Sequence, residues 1–212
     1  VDAAPVNPSD IAYIRGQYRF KGQEPSSLGF EGTGIVIDTG GSGTSGELRN
    51  KRVAFYTSQS QPGSWSAYCI AKTQNCIEID PQIPVVQAAC FSINPFTAAG
   101  LISSALKTGT KSIIQNGAAG QVGTMVRILA KTYGLEVINI VRKKEHTETQ
   151  SKEGTKYVID STDPDFRKKL FKLSERLSPL IAFDAVGGEV AGTMLDALEI
   201  GGRMIVYGGL SG

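Results

Sequence analysis

Two hydrophobic periods alternate along the second half of the chain. Short apolar runs of strand length recur at SIIQN (Ser112 to Asn116), EVINIV (Glu136 to Val141), YVID (Tyr157 to Asp160), LIAFDAV (Leu180 to Val186) and RMIVYG (Arg203 to Gly208). Between them, Val122, Met125, Val126, Leu129 and Tyr133 fall on one helical face, as do Phe166, Leu170, Leu173 and Leu177. A further helix is predicted near Val190 to Leu198. The stretch EHTETQSKEG, Glu145 to Gly154, has no aliphatic residue, so only a short or frayed helix is expected there. Strand and helix repeated in this order predict an α/β fold, a doubly wound parallel sheet with helices on both faces. Five strands are visible, and the usual sixth would lie beyond Gly212.

The first half has a different texture. From Gly34 to Asp80 the runs GIVID, RVAFYT, SWSAYCIA and CIEID are separated by Gly, Ser, Pro and Asn clusters, the pattern of a small all-β unit. From about Pro84, QAACFSINPFTAAGLISSAL reads as a helical connector, with Pro95 where a first helical turn tolerates it. Two domains are therefore expected, residues 1–90 and 91–212. The length of 212 residues suits one and a half domains. The opening VDAAPVNPSD and the closing GGLSG both look cut, so a piece of a longer protein is expected.

Composition narrows the function classes. A 41% hydrophobic chain can build an ordinary core, which excludes a disordered tail. The 22 Lys and Arg against 20 Asp and Glu leave +2, too little for a nucleic-acid binder that works by neutralising phosphates. No segment approaches the ~20 apolar residues that cross a bilayer, so no membrane partner is expected. Cys69, Cys76 and Cys90 are unevenly spaced and His146 is the single histidine, which argues against a disulfide framework and a structural zinc site. Cys69 and Cys90 sit in apolar surroundings and are expected in the core.

Of the 25 glycines most fall in three clusters, and one cluster carries chemistry. Directly after the first strand of the second half comes GAAGQVG, Gly117 to Gly123. Aligned on GxGxxG, it has Ala118 at the first glycine position and Gly120 and Gly123 at the others. It follows a strand and opens an amphipathic helix, the setting a dinucleotide site requires. Gly120 would let backbone approach a pyrophosphate, Gly123 would let helix and strand pack closely, and the N–H groups of Ala119, Gln121 and Val122 would face negative charge. A tight turn that binds nothing is the alternative. After the second strand, where an NAD site has an acid roughly 20 residues past the glycines, the chain reads Arg142, Lys143 and Lys144. A guanidinium can bind a 2′-phosphate that a carboxylate would repel, so NADPH is expected over NADH. A solvated patch is the other reading, since 10 of the 22 basic residues lie between Arg142 and Arg176 beside seven acids.

NPSD (Asn7 to Asp10), GQY (Gly16 to Tyr18), GFEGTG (Gly29 to Gly34), GSWSAYCIA (Gly63 to Ala71), NPFTA (Asn94 to Ala98), GAAGQVG, FDAVGG (Phe183 to Gly188) and YGGLSG (Tyr207 to Gly212) stand in an order that resembles the medium-chain dehydrogenase/reductase superfamily. The resemblance spans essentially the whole chain. It implies a GroES-like β domain carrying the catalytic cleft, followed by a Rossmann-type cofactor domain, with an opening and a closing strand missing here. Zinc-dependent members carry Cys where this chain has Asn7 and His where it has Phe30, so no catalytic zinc is expected. The branch it looks like is the zinc-independent one of quinone oxidoreductases and 2-enoyl thioester reductases.

That branch implies a small-molecule substrate. Hydride on a plain carbonyl leaves a localised alkoxide that wants a Lewis acid, whereas a quinone, enone or enoyl thioester leaves a delocalised anion that hydrogen-bond donors can hold. By resemblance, Tyr18 is the donor to that anion, with packing of a β-domain wall as its alternative role. Asn7 and Thr97 match positions at the nicotinamide end, and Gly208 with Gly209 match a loop near the cofactor ribose. Ser161 is a candidate for reaching the 2′-phosphate. Asp10 and Glu31 are expected to bond their own loop backbone. The resemblance also implies a homodimer paired through a sheet edge. A cytoplasmic protein is expected, with the mitochondrion as the other setting. The alternative function is a dinucleotide-binding protein with little catalysis.

Overall fold

A computed structural model of the chain describes residues 1–17, 28–40, 43–57, 63–152 and 154–210. The chain divides into two compact units, Val1–Asn94 and Pro95–Gly212. The division falls after Asn94 rather than Cys90, because the Ser92 and Ile93 N–H groups donate to the Glu31 carboxylate and tie this segment to the first unit.

The first unit holds a short helix α1 (Pro8–Ile14) and a three-stranded antiparallel sheet in the order β1 (Glu31–Ile35), β2 (Arg52–Tyr56), β3 (Cys76–Glu78). A short helix α2 (Val85–Ala88) follows, and Ala54, Ile79 and Ala88 form the centre of a small core. Two expectations change. The first strand runs over Glu31–Ile35 rather than Gly34 to Asp38, and SWSAYCIA forms no strand. In its place Ser64 N and Trp65 N donate to the Gly29 and Leu28 carbonyls, and the Trp65 indole N–H donates to the Pro5 carbonyl. Two isolated backbone bonds and side-chain bonds stand where a strand ladder was expected. Cys69 and Cys90, expected in the core, are half-buried, as is Cys76; all three are free, and burial pushes each thiol up.

In the second unit α3 (Asn94–Leu106) leads into a five-stranded parallel sheet. Its strands are β4 (Ser112–Gln115), β5 (Glu136–Val141), β6 (Tyr157–Asp160), β7 (Ile181–Asp184) and β8 (Arg203–Val206), in the spatial order β6-β5-β4-β7-β8. The order reverses at β4, the switch point of a doubly wound sheet. Alternate side chains build the two cores, as strand geometry dictates. Ile113, Ile181 and Phe183 pack with α3 and α4 (Gln121–Thr132), while Ile114, Ile138, Ile140, Ile159 and Ala182 pack with α6 (Phe166–Leu177) and α7 (Gly188–Asp196). Helix α5 (Lys144–Lys152) does form over the polar stretch. Tyr133, expected on the buried face of α4, is 56% exposed because it is the C-cap, where the helical rotation has ended. Among the described residues no helix is long and apolar enough to cross a membrane.

Candidate functional site

β4 runs directly into a tight glycine turn, Gly117 to Gly123. Gly117 has φ +60°, where a side chain is strained, and its missing Cβ would stand 3.2 Å from the Ala185 Cβ. Gly120 is the N-cap of α4 with extended backbone. Gly123 lies against the turn itself: a Cβ there would come within 2.7 Å of the Ala118 Cα and 2.9 Å of its carbonyl carbon and oxygen. Helix and turn therefore meet at backbone distance. Ala118 is buried, Ala119, Gly120 and Gln121 are exposed, and Val122 packs on the core. No acid stands in the first turn of α4, so the partial positive charge of its N–H groups is unopposed by its own side chains.

Polar side chains brace this turn from the protein side. The Gln115 Nε2 donates to the Gly123 carbonyl at 3.0 Å and to Asn139 Oδ1 at 2.7 Å, and Asn139 Nδ2 donates in turn to the Val137 and Tyr157 carbonyls. The Arg127 guanidinium donates to the Ala118 carbonyl and to Thr124 Oγ1.

Three strand ends converge beside it. Asn116 Nδ2 donates to Asp184 Oδ1, and the same oxygen accepts the Val186 and Gly187 N–H groups at 3.0 and 2.9 Å. Asn116 Oδ1 accepts the Ala185 N–H at 2.6 Å. Both residues are buried. After β8, Tyr207 N donates to the Asp184 carbonyl and Leu210 N to that of Ala185, and a Cβ on Gly208 would stand 2.7 Å from the Ala185 oxygen. Gly209 is exposed with open space about it. Burial and then the Asp184 charge push the Tyr207 hydroxyl up to about 12, so it stays protonated at neutral pH. Sequence reading missed this clamp; its signal was an Asn and an Asp closing two otherwise apolar runs.

On the other side of β4, Arg142 and Lys143 follow β5 and are exposed. The Ser161 N–H donates to the Val141 carbonyl at 2.8 Å, which sets the half-buried Ser161 beside Arg142. The structure thus gathers Gly117 to Gly123, Arg142, Lys143, Ser161 and Gly208 to Gly209 at the carboxyl ends of one sheet, where ligands of such sheets bind. A glycine cradle, an unopposed helix N-terminus and a basic corner fit a phosphorylated dinucleotide.

The remaining candidates lie elsewhere. Thr97 is half-buried in the first turn of α3. Tyr18 lies outside the described residues. Asn7 caps α1 in the first unit, where its backbone N–H donates to Asp10 Oδ2 and its Nδ2 to Glu31 Oε1 at 2.8 Å. Asp10 bonds local backbone as expected, and also accepts the Phe30 N–H. Glu31 departs from expectation: it sits inside β1, 1% exposed, and bonds Ser92 and Ile93, far along the chain. Its strand position turns the side chain away from its own loop. Burial is the largest cause raising the Glu31 carboxyl above 4.5, ahead of the lowering by its donors. Folding therefore takes up a proton there, and that contribution to stability falls as pH rises from 4.5 through the folded value. Denaturation of the wild type and Glu31→Gln across this range is expected to show a shallower decline in the variant; parallel curves would exclude the shift. Among the described residues no group of three His, Cys, Asp or Glu side chains could hold a metal.

Residues 122–212 match the family described as zinc-binding dehydrogenase. Over 219 residues the chain is 34% identical to a mitochondrial enoyl-[acyl-carrier-protein] reductase of Xenopus tropicalis, covering 99% of this chain and 60% of that protein. The enzyme of the same name from Arabidopsis thaliana is 31% identical, with coverages of 99% and 56%. A crystal structure described as a candidate NADPH:quinone reductase of Mesorhizobium loti superimposes with a TM-score of 0.93 at 32% identity, covering 98% of this chain and 60% of that one. The chain thus spans 56 to 60% of the length of these curated relatives. With its glycine turn, its strand order and these relatives in agreement, the chain is similar over nearly its whole length to members of the medium-chain dehydrogenase/reductase superfamily.

Proposed function

We propose that the protein is an NADPH-dependent, zinc-independent reductase of conjugated carbonyl compounds, quinones, enones or 2-enoyl thioesters. The observation that carries this reading is the backbone contact of Gly123 with Ala118 at the head of α4, flanked by the Arg142, Lys143 and Ser161 corner. The names of the relatives, enoyl-acyl-carrier-protein reductase and NADPH:quinone reductase, support the same chemistry.

In this reading the first turn of α4 binds the pyrophosphate through backbone N–H groups, and Arg142 holds the 2′-phosphate as a two-pronged donor with Lys143 and Ser161 beside it. Gly208 and Gly209 give the ribose room, while Thr97 and Asn7 border the nicotinamide. NADPH, when bound, supplies the hydride. The Tyr18 hydroxyl donates to the substrate carbonyl oxygen, where charge collects as the β-carbon is reduced. Asn7 and Phe30 stand at the positions where zinc-dependent members have ligands, and the Asn7 amide is bonded to Glu31 instead. A donor suffices without a metal because the developing charge is delocalised over the conjugated system.

The test is NADPH oxidation by the intact protein with 9,10-phenanthrenequinone and with a crotonyl thioester, repeated with NADH and with Arg142→Asp. Turnover with at least one acceptor is expected. The variant is expected to shift the NADPH-to-NADH ratio of kcat/KM by about 100-fold toward NADH, through lost charge-assisted bonds and new repulsion. Binding of NADPH without turnover of any acceptor would favour a sensing or structural role, and an unchanged ratio would remove Arg142 from the site.

A further inference from the structure

Arg127 stands on α4 about a turn and a half inside the helix and points back along it, as helical side chains do. Its guanidinium bonds the Ala118 carbonyl with one nitrogen and Thr124 Oγ1 with the other, at 3.1 Å for the second, and is half-buried. Ala118 is the residue against which Gly123 packs, and its carbonyl oxygen lies 2.9 Å from where a Gly123 Cβ would be. One side chain therefore fixes the peptide between Ala118 and Ala119 from behind. An amide plane rotates as a unit, so a carbonyl held toward the helix flank leaves the Ala119 N–H on the opposite side, toward the open end of α4.

Resting on the cofactor reading above, we propose that Arg127 is a positioning residue for the cofactor's pyrophosphate. It keeps the glycine turn in the orientation that aims N–H groups at the phosphates, and adds a cation beside the helix N-terminus without touching the ligand. Two features separate this from a packing role. The guanidinium bridges two acceptors in fixed planar geometry, which an ammonium reproduces poorly. Its partners also lie within the turn and the first turn of the helix, whereas the basic corner at Arg142 follows a different strand.

The experiment compares binding of NADPH, 2′,5′-ADP and 2′-AMP to the intact wild type, Arg127→Met and Arg127→Lys, with thermal melting of each. The first two ligands carry a phosphate on the adenosine 5′-oxygen, and the third has only the 2′-phosphate. Arg127→Met is expected to weaken NADPH and 2′,5′-ADP about tenfold, the loss of a charge-assisted bond, and to leave 2′-AMP within about twofold. Arg127→Lys is expected to recover part of that loss. Equal weakening of all three ligands, or no weakening of any, overturns the assignment, as does full recovery by lysine, which would reduce the role to bare charge. A wild type that binds none of the three overturns the cofactor reading and this proposal together, whereas a wild type that binds and a variant that binds equally overturns this proposal alone.

Discussion

Gly123→Ala is expected to cost the second unit about 2–3 kcal/mol and to weaken NADPH binding on the order of 100-fold. The added methyl would meet three backbone atoms of Ala118 at under 3 Å, and backbone cannot rotate aside as the end of a side chain can. Relief requires α4 to lift off the turn, which would carry its N–H groups away from the phosphates of the proposed cofactor. Gly192→Ala is the internal control: it lies within α7 with nothing near its missing Cβ, and alanine favours a helix by up to about 1 kcal/mol. Denaturant unfolding and fluorescence titration with NADPH measure both effects. Retained affinity in a folded Gly123→Ala protein would mean that the head of α4 is not the phosphate site.

The second large effect is expected at Asp184. Its Oδ1 accepts one side-chain and two backbone N–H groups at the sheet's carboxyl end, so Asp184→Ala strands one buried and two half-buried donors. The expected loss is about 3–5 kcal/mol, and Asp184→Asn, which keeps one acceptor oxygen, is expected to lose about half as much. Asn116→Ala breaks the same network from the other strand. The double variant should then lose less than the sum of the single ones, with a coupling above about 0.5 kcal/mol. Additive losses in urea unfolding would show that the two side chains act separately, and that the turns after β4 and β7 are held by backbone alone.

Much of this was legible before any coordinates. The five parallel strands fall on the apolar runs that SIIQN, EVINIV, YVID, LIAFDAV and RMIVYG announce, because strands of a sheet covered by helices on both faces are rich in apolar residues. The first unit was less legible. A strand open to solvent on one side leaves a weaker pattern, so SWSAYCIA reads like a strand although isolated backbone bonds and side-chain bonds hold it as an irregular segment. Glu31 reads as a loop acid because its burial depends on Ser92 and Ile93, about sixty residues away in sequence.

The division follows from the range of the forces. The α/β order, the glycine turn between a strand and a helix, and the basic residues after the second strand follow from local pattern, since periodicity and turn chemistry act over a few neighbours. That Asn116 and Asp184 meet, that Arg127 reaches the Ala118 carbonyl, and that Ser161 adjoins Arg142 follow from the packed fold. Those contacts join residues on separate strands, or across the start of a helix, and they exist only once hydrophobic burial has set the strands side by side. The glycines were visible as letters; that Gly123 can be nothing else is a property of the 2.7 Å between its missing methyl and the Ala118 backbone.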